Sequence, residues 1–246
     1  MNDDQPPAVG AGSKLLLNSP LHEASLDELI ADATRHAPSR IIDHGCGWGE
    51  VLLRAVANVP SSTGVGIEVH QPDLERAHTA ASVRGLNRRA TFKNANSADN
   101  REPADLLINL GAYQAFGDLA TAAKVLREDL LPGGRALFGA EYWIATPTAD
   151  ELSHMWPGAS VADCLQLAEL VDVLHGAGWR ILNLHDTTRT EFDDYEVAHL
   201  REREEWLVGH PDHPDHPDVR EQLQRQWSSW LRGHRRPMGF ATFVLA

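Results

Sequence analysis

The sequence predicts an α/β protein in which a mainly parallel sheet is covered by helices on both faces. Short apolar runs rich in β-branched residues alternate with longer amphipathic segments, and this alternation is typical of that class. The run 104–110 is nearly all apolar, as expected of a central parallel strand. A glycine-rich turn joins the first run to a helical segment, and the carboxyl end of such a strand is where open α/β sheets bind ligands.

The glycine-rich turn reads Asp-His-Gly-Cys-Gly-Trp-Gly over residues 43–49. Glycine lets the backbone turn sharply and lets a ligand approach without meeting a Cβ. The spacing differs from the Gly-x-Gly-x-x-Gly fingerprint of dinucleotide-binding proteins, which counts against a nicotinamide-dependent oxidoreductase. The turn therefore supplies the first residues of a predicted ligand site: Asp43, Gly45, Cys46, Gly47, Trp48 and Gly49.

Bulk properties restrict the class of protein. The chain has 246 residues, 42% of them hydrophobic, but no uninterrupted apolar run long enough for a membrane span, and it begins without a signal-peptide pattern. Its two cysteines, Cys46 and Cys164, suit a reducing compartment, so we predict a cytoplasmic location. The formal charge of −13 argues against a nucleic-acid partner.

The first part of the chain contains a tail and one helix before the sheet begins. Residues 1–13 are polar and contain proline and glycine, which predicts a disordered tail before a single domain over 14–246. Ser25 and Glu28 form a capping-box pattern that predicts the helix start. Pro38 ends that helix, and strand 1 begins near Ile41.

Polar residues or glycines follow strands 2 and 4 where each strand ends. Glu68 ends strand 2, 25 residues after Asp43, where a carboxylate can accept hydrogen bonds from both hydroxyls of a ribose, and Val69 follows it. Asn109 and Gly111 come at the end of strand 4, which lies beside the glycine turn in a doubly wound sheet. These residues extend the predicted site.

The second half of the chain predicts an amphipathic helix over 161–178, strand 6 over 180–185 and strand 7 from Gly239 to the end. About 50 residues separate strands 6 and 7, where a plain fold would need only a hairpin. Two helices, 193–208 and 218–231, are predicted there, with Asp218 as an N-cap. We predict that residues 190–235 form a helical insert that covers the carboxyl edge as a lid. A dimer interface or a purely structural insert is the alternative.

The linker between these two helices repeats His-Pro-Asp three times, from residue 210 to residue 218. Histidines and aspartates are metal ligands, but a proline every third residue favours an extended path that does not converge on one ion. We therefore predict no metal site.

The Asp-x-Gly-x-Gly-x-Gly turn resembles motif I of class I S-adenosylmethionine-dependent methyltransferases, and the Leu-Pro-Gly-Gly turn before strand 5 also recurs in that family. The likeness covers residues 40–140. It is closest to bacterial small-molecule methyltransferases that carry Gly-Ala-x-x-Ala-Phe-Gly after strand 4, here 111–117, and a Glu-Tyr-Trp segment after strand 5, here 141–143. The resemblance implies a Rossmann-like, doubly wound seven-stranded sheet of order 3-2-1-4-5-7-6 with strand 7 antiparallel.

The resemblance also implies a cofactor and further site residues. The cofactor would be S-adenosyl-L-methionine, with S-adenosyl-L-homocysteine as product. Asn96 and Ser97, at the exit of strand 3, stand where the family usually places an Asp and a small residue beside the adenine. Asn in place of Asp is a departure, but its carbonyl oxygen can still accept a bond from the adenine amino group. Asp99, three residues later, is an alternative for that role.

Methyl transfer from a sulfonium is an in-line displacement, so the protein's main task is to align the acceptor with the methyl group. Proximity and orientation can supply about 7–11 kcal/mol. A general base is needed only where the acceptor arrives protonated. Glu141, at the end of strand 5, and Tyr113, after strand 4, are the predicted catalytic candidates. His44 and Tyr142 also lie at strand tips, but His44 is predicted to be structural.

Missing motifs exclude several related enzymes. No Asn/Asp-Pro-Pro-aromatic motif follows strand 4, which argues against methylation of base or glutamine amino groups, and no Pro-Cys pair or Tyr-x-x-x-Lys occurs. The predicted function is methyl transfer to a small molecule. The alternatives are a non-catalytic cofactor-binding protein and a lipid-modifying enzyme, since the glycine turn also resembles that of cyclopropane fatty acid synthases. A homodimer is left open as a partner.

Overall fold

Seven strands form one sheet in the computed structural model, which describes residues 5–246. The order is β3-β2-β1-β4-β5-β7-β6, the first five strands are parallel, and β7 is antiparallel to both β5 and β6. The predicted topology is therefore confirmed. The strands are β1 (Arg40–His44), β2 (Thr63–Glu68), β3 (Ala90–Asn94), β4 (Ala104–Leu110), β5 (Leu130–Trp143), β6 (Ile181–Asp186) and β7 (Met238–Leu245).

Helices cover both faces of the sheet. They are α1 (Glu23–Ala33), α2 (Glu50–Asn58), α3 (Gln71–Val83), α4 (Leu119–Asp129), α5 (Ala149–His154), α6 (Leu167–Gly176), α7 (Arg189–Gly209) and α8 (His216–Ser228). Successive strand residues face opposite sides, so Ile41 packs in the core beneath α1 and α2, whereas Ile42 packs in the core beneath α4 and α6.

Strand register sets the position of the site. His44 pairs with Ile67 of β2, and Asp43 pairs with Ile108 of β4. The residues that follow β1, β2 and β4 are therefore brought to the same edge of the sheet. That edge is the carboxyl edge, where the sequence predicts the ligand site.

The helix predicted over 161–178 is partly wrong. Residues 161–163 form one 3-10 turn, and α6 begins only at Leu167. Between them the backbone is extended, because the carbonyl of Leu165 accepts a 2.7 Å hydrogen bond from the N–H of Trp143 at the end of β5. Pairing with β5 overrides the helical periodicity of this segment.

Two predicted helix caps are also wrong. Helix α1 begins at Glu23, and the Ser25 hydroxyl does not cap it but donates a 2.6 Å hydrogen bond to Glu191 of α7. Helix α8 begins at His216 with a proline in its first turn, so Asp218 lies within that turn rather than before it. The local spacing predicts that the Ser25 side chain caps α1, but its hydroxyl instead bonds to Glu191, which is distant in sequence.

The helical insert between β6 and β7 is present, with different bounds from those predicted. Helix α7 spans 21 residues, and α8 continues into a π-helical turn over Ser229–His234. The two helices share a small core of their own: Leu200, Trp206, Leu207, Val219, Leu223 and Trp230. The start of α7 is tied to α1 by Glu191, which is buried and accepts hydrogen bonds from Ser25 and the N–H of His22. Its role as a lid stays a prediction.

The chain before α1 crosses the carboxyl edge of the sheet. The indole N–H of Trp48 donates a 2.7 Å hydrogen bond to the carbonyl of Leu16, and Arg76 donates to the carbonyl of Ala11. The disordered tail predicted for 1–13 stays a prediction, and its residues 1–4 lie outside the described part. Within residues 5–246, no helix is long and apolar enough to cross a membrane.

Candidate functional site

The glycine turn after β1 depends on backbone conformations that glycine favours. Gly45, Gly47 and Gly49 have φ values of +74°, +50° and +79°. At Gly45 space is also decisive, because an added Cβ would lie 2.3 Å from the Cβ of Ala112. The N–H groups of Gly45 and Cys46 both donate to the carbonyl of Ile67, which fastens the turn to β2.

Glu68 ends β2 with its carboxylate at the turn. One oxygen accepts the N–H of Gly47 at 3.1 Å, and the other accepts the N–H groups of Val69 and His70 at 2.8 and 2.9 Å. An ionised carboxylate has about four acceptor positions, so capacity remains for a ligand hydroxyl. These backbone donors orient the carboxylate in advance.

Asp43 is a buried carboxylate beside the turn, with 3% of its surface exposed. Within residues 5–246, no Lys, Arg or His forms an ion pair with it. Burial, and after it the charge of Glu68, raise the pKa of Asp43 to about 8. The position is therefore suited to a ligand that brings a positive charge.

Two adjoining cavities lie around this turn. The first, called the turn cavity, has a volume of about 250 Å³ and is lined by Asp43, the glycine turn and Gly111. The second, called the strand-3 cavity, has a volume of about 390 Å³ and is lined by Val69, Asn96 and Ser97. Both cavities are lined by Gly45, Glu68 and Ala112, so the two adjoin each other at these residues.

Most of the predicted cofactor residues come together in these cavities. The turn cavity is lined by Asp43, Gly45, Cys46, Gly47, Trp48, Glu68 and Gly111, and the strand-3 cavity by Glu68, Val69, Asn96 and Ser97. Gly49 and Asn109 line neither of them. Gly49 immediately precedes α2, and the Asn109 amide donates a 3.1 Å hydrogen bond to the carbonyl of His44, which supports the turn from below.

A third cavity, of about 550 Å³, adjoins the turn cavity and is called the acceptor cavity. It contains both predicted catalytic candidates. The Tyr113 hydroxyl donates a 2.9 Å hydrogen bond to Oε1 of Glu141, and the Gln114 amide donates to the same oxygen at 3.1 Å. Burial and then the Glu141 charge raise the pKa of Tyr113 above its usual range, so its hydroxyl stays protonated.

The turn and acceptor cavities meet at Asn18, Ser19 and Gly111, which line both. Sequence reasoning missed Asn18 and Ser19, because they carry no motif and precede the first helix. It also missed Phe192 and Glu196 of α7 as lining residues. The one signal in the sequence was the aromatic character of the insert, since Phe192 and Tyr195 both lie in it and both line the cavity.

His44 and Tyr142, the other polar residues at strand tips, lie away from the acceptor cavity. His44 is fully buried, and its ring meets Phe116 edge-on at 5.2 Å. Burial lowers the pKa of His44 to about 4, so the ring is neutral at pH 7. The Tyr142 hydroxyl donates a 2.6 Å hydrogen bond to Asp186 of β6. Both contacts serve packing of the sheet.

The linker histidines pack rather than converge on an ion. The ring of His210 stacks on Trp206 with centroids 4.8 Å apart, and His213 meets Trp206 edge-on. Across residues 5–246, no three His, Cys, Asp or Glu side chains are grouped so that they could hold a metal ion.

Sheet order, the antiparallel β7 and a glycine turn at the carboxyl edge define a Rossmann-like nucleotide-binding class.

No family model matches the chain. An uncharacterised protein of Escherichia coli K12, YjhP, is 28% identical over 209 residues, which cover 84% of each chain. Two solved methyltransferases, both in complex with S-adenosyl-L-homocysteine, superpose with a TM-score of 0.82. The one from Geobacter sulfurreducens is 27% identical over 94% of this chain and 93% of its own; the one from Thiobacillus denitrificans is 25% identical over 94% of both.

These likenesses support the resemblance to class I S-adenosylmethionine-dependent methyltransferases that the glycine turn carries. A cyclopropane synthase of Mycobacterium tuberculosis, MmaA2, at 16% identity and a TM-score of 0.67, shares the fold alone.

Proposed function

We propose that the chain binds S-adenosyl-L-methionine in the joined turn and strand-3 cavities and transfers its methyl group, by in-line displacement, to a small molecule in the acceptor cavity. The proposal is supported by the way in which the three cavities adjoin one another. The turn cavity shares three lining residues with each neighbour, so a ligand lying along it faces the acceptor cavity at Asn18, Ser19 and Gly111.

The residues around the two cofactor cavities fit this cofactor chemically. Asn96 and Ser97 would hold the adenine, and Glu68 would accept hydrogen bonds from the ribose hydroxyls. Asp43, buried and without a cationic partner within the described residues, would receive the ammonium group of the methionine moiety. The glycine turn leaves room for that moiety to lie against the backbone. When bound, the cofactor supplies an activated methyl group on a sulfonium.

The chain's own contribution to the reaction is orientation and exclusion of water. Tyr113 and Gln114 fix Oε1 of Glu141, and within residues 5–246 no donor reaches Oε2. That free oxygen would bind a hydrogen on the acceptor. Holding the acceptor in line with the methyl group supplies the larger part of the rate, and proton removal adds about 10²–10⁴-fold where the acceptor arrives protonated.

The walls of the acceptor cavity favour a small acceptor over a macromolecule. They include Phe192 and Tyr195 of α7, Ser19 and Pro20 of the segment before α1, and Phe240 of β7. The Tyr195 hydroxyl donates a 3.1 Å hydrogen bond to Asn18, which links helix α7 to the segment before α1. We therefore propose that α7 and residues 11–22 together form the cover over the site, which extends the lid predicted for residues 190–235.

Two alternative functions, a lipid-modifying enzyme and a binding protein without turnover, differ from this proposal in what they require of the site. A lipid-modifying enzyme needs a long apolar channel, whereas the acceptor cavity contains the carboxylates Glu141, Asp163 and Glu196. A binding protein without turnover would keep the cofactor cavities and fail to release S-adenosyl-L-homocysteine with any acceptor.

Calorimetry with S-adenosyl-L-homocysteine tests the cofactor part of the proposal. The wild type should bind, and Glu68→Gln should weaken binding by roughly ten- to hundredfold, because a charge-assisted hydrogen bond contributes about 1.5–3 kcal/mol. Glu28→Gln, an exposed carboxylate on α1, is the matched control and should leave the affinity unchanged. If the wild-type chain binds neither S-adenosyl-L-methionine nor its product, the proposal is wrong. Release of product from a panel of metabolites then separates an enzyme from a binding protein.

A further inference from the structure

The acceptor cavity carries negative charge and no positive charge. Its lining includes the carboxylates Glu141, Asp163 and Glu196, and within the described chain no Lys, Arg or His lines it. Two of these charges are already engaged. Asp163 accepts from Trp156 and from Ser160, and Glu196 is paired with His234 at 2.8 Å.

Glu141 differs from the other two carboxylates. Its only hydrogen bonds within residues 5–246 come from Tyr113 and Gln114, and both end on Oε1, whereas Asp163 accepts on both of its oxygens and Glu196 is paired with His234. No cationic side chain of the described chain lies within ion-pair distance of it. An anion entering this cavity would therefore be repelled, whereas a cation would find an uncompensated carboxylate next to the turn cavity.

Aromatic side chains make up much of the remaining wall. Tyr113, Trp156, Phe192, Tyr195 and Phe240 all line the acceptor cavity, and they come from four separate elements or loops, since Phe192 and Tyr195 both belong to α7. Aromatic rings grouped around a space are the environment in which alkylated ammonium groups bind through cation–π attraction, because the rings remove water from the cation and replace it with their negative faces. This observation is independent of the carboxylates.

We infer that the methyl acceptor is the amine of a small molecule, which enters as its ammonium form and is held by Glu141 within these aromatic walls. The inference rests on the proposed function, which supplies the methyl donor. It assigns Glu141 as the group that binds the amine, and Tyr113 as the positioning residue that fixes the carboxylate.

The ammonium transfers one proton to Oε2 of Glu141, which frees the nitrogen lone pair. The lone pair forms the new N–C bond to the methyl carbon while the S–C bond breaks, and the electron pair of that bond stays on sulfur as a neutral thioether. The product leaves as a methylated ammonium, and the proton on Glu141 passes to solvent.

Binding of a charged probe and its neutral isostere tests the inference without knowledge of the natural substrate. Choline and 3,3-dimethylbutan-1-ol have the same shape and differ in charge. In calorimetry with the full chain saturated by S-adenosyl-L-homocysteine, choline should bind at least about tenfold more tightly than the alcohol, a difference of roughly 1.4 kcal/mol. Glu141→Gln should remove most of that preference, and Glu28→Gln should keep it.

The outcomes separate the two proposals. If S-adenosyl-L-homocysteine does not bind, the proposed function fails. If it binds but choline binds no better than the alcohol, or not at all, the amine inference alone is overturned. Turnover gives the second test, since primary or secondary amines should yield product while matched alcohols and carboxylates should not. Should Glu141→Gln fail to fold, the wild-type comparison of the two probes still decides.

Discussion

The cofactor end and the acceptor end of the site are built in different ways. The cofactor end uses the tips of β1, β2 and β3 and the turn after β1, so its groups follow directly from strand register. The acceptor end takes its walls from residues 18–20, from the end of β5, from the loop that includes Asp163, and from the first turns of α7. Its members are up to about 220 residues apart in sequence.

The two ends are therefore sensitive to different kinds of substitution. The cofactor end depends on backbone geometry, because Gly45 has a positive φ and no room for a Cβ. The acceptor end depends on side chains that meet only after the chain has folded, such as Tyr195 and Asn18. Substitutions at the first should abolish binding of the cofactor, whereas substitutions at the second should change acceptor binding and the closure of the cover.

The largest effect is expected from Gly45→Ala. The new Cβ would lie 2.3 Å from the Cβ of Ala112, so the turn or the loop after β4 must move, and the residue would also adopt a φ that alanine disfavours. We expect S-adenosyl-L-homocysteine affinity to fall by about a hundredfold or more in calorimetry, equivalent to roughly 2.7 kcal/mol.

Gly85→Ala is the control for this change. Gly85 also has a positive φ, +67°, but an added Cβ meets nothing within 4 Å, and the residue lies after α3, away from the three cavities. This variant should lose some thermal stability and keep its affinity. Equal affinities for the two variants would mean that the close approach of Gly45 and Ala112 does not shape the cofactor site.

A smaller effect is expected from Asp43→Asn. The carboxyl has a folded-state pKa of about 8, against about 3.9 in an unfolded chain. Between these values the folded state holds one proton more, so the free energy of unfolding falls as pH rises from about 4 to about 8. Asparagine removes that dependence, so the variant's melting temperature should exceed that of the wild type by about 3 °C or more at pH 8, and by less at pH 5.

The same variant should bind S-adenosyl-L-methionine about tenfold more weakly, since a charge-assisted contact to the ammonium is lost. Asp172→Asn, exposed on α6, is the control and should change neither quantity. A variant that is stabilised at pH 8 and still binds with wild-type affinity would show that Asp43 is buried for a reason other than the cofactor.

The glycine turn and the carboxylate beside it could be predicted from the sequence because their information is local. Three glycines at alternate positions and a carboxylate at the tip of β2 describe the turn without reference to the rest of the chain. The sheet order followed from the family resemblance carried by these motifs, and the structure confirms it. Asn109 shows the limit even here, since it was predicted as a cofactor-binding residue, whereas its amide donates to the carbonyl of His44 and it lines neither of the two cavities.

The acceptor end could not be predicted in the same way, because partners distant in sequence decide its structure. Ser25 matches a helix-capping pattern, yet its hydroxyl donates a hydrogen bond to Glu191 of α7. Leu165 matches a helical period, yet it pairs with Trp143. Glu141 and Tyr113 were predicted there as catalytic candidates, and both lie at or just beyond the tips of strands, where local reasoning still applies.

The smallest effect is expected from Tyr195→Phe, which acts on the cover over the acceptor end. The variant loses the 3.1 Å hydrogen bond from Tyr195 to Asn18, a partly exposed contact worth about 0.5–1.5 kcal/mol. Opening of residues 14–22 should therefore become roughly two- to tenfold more frequent, and hydrogen exchange of a peptide spanning these residues should speed up by that factor. Cofactor affinity should stay within about twofold, because Tyr195 does not line the turn cavity.

Glu205→Gln is the matched control for the cover, since it changes another α7 contact to the same segment without altering the peptide that is measured. Glu205 pairs with Lys14, but the two side chains are 51% and 46% exposed, and such a pair contributes about 0–1 kcal/mol. In Glu205→Gln, hydrogen exchange of the peptide spanning residues 14–22 should therefore speed up by less than it does in Tyr195→Phe. If the two variants accelerated exchange equally, the cover would be held by the net charge of α7 rather than by the contact between Tyr195 and Asn18 where the two cavities meet.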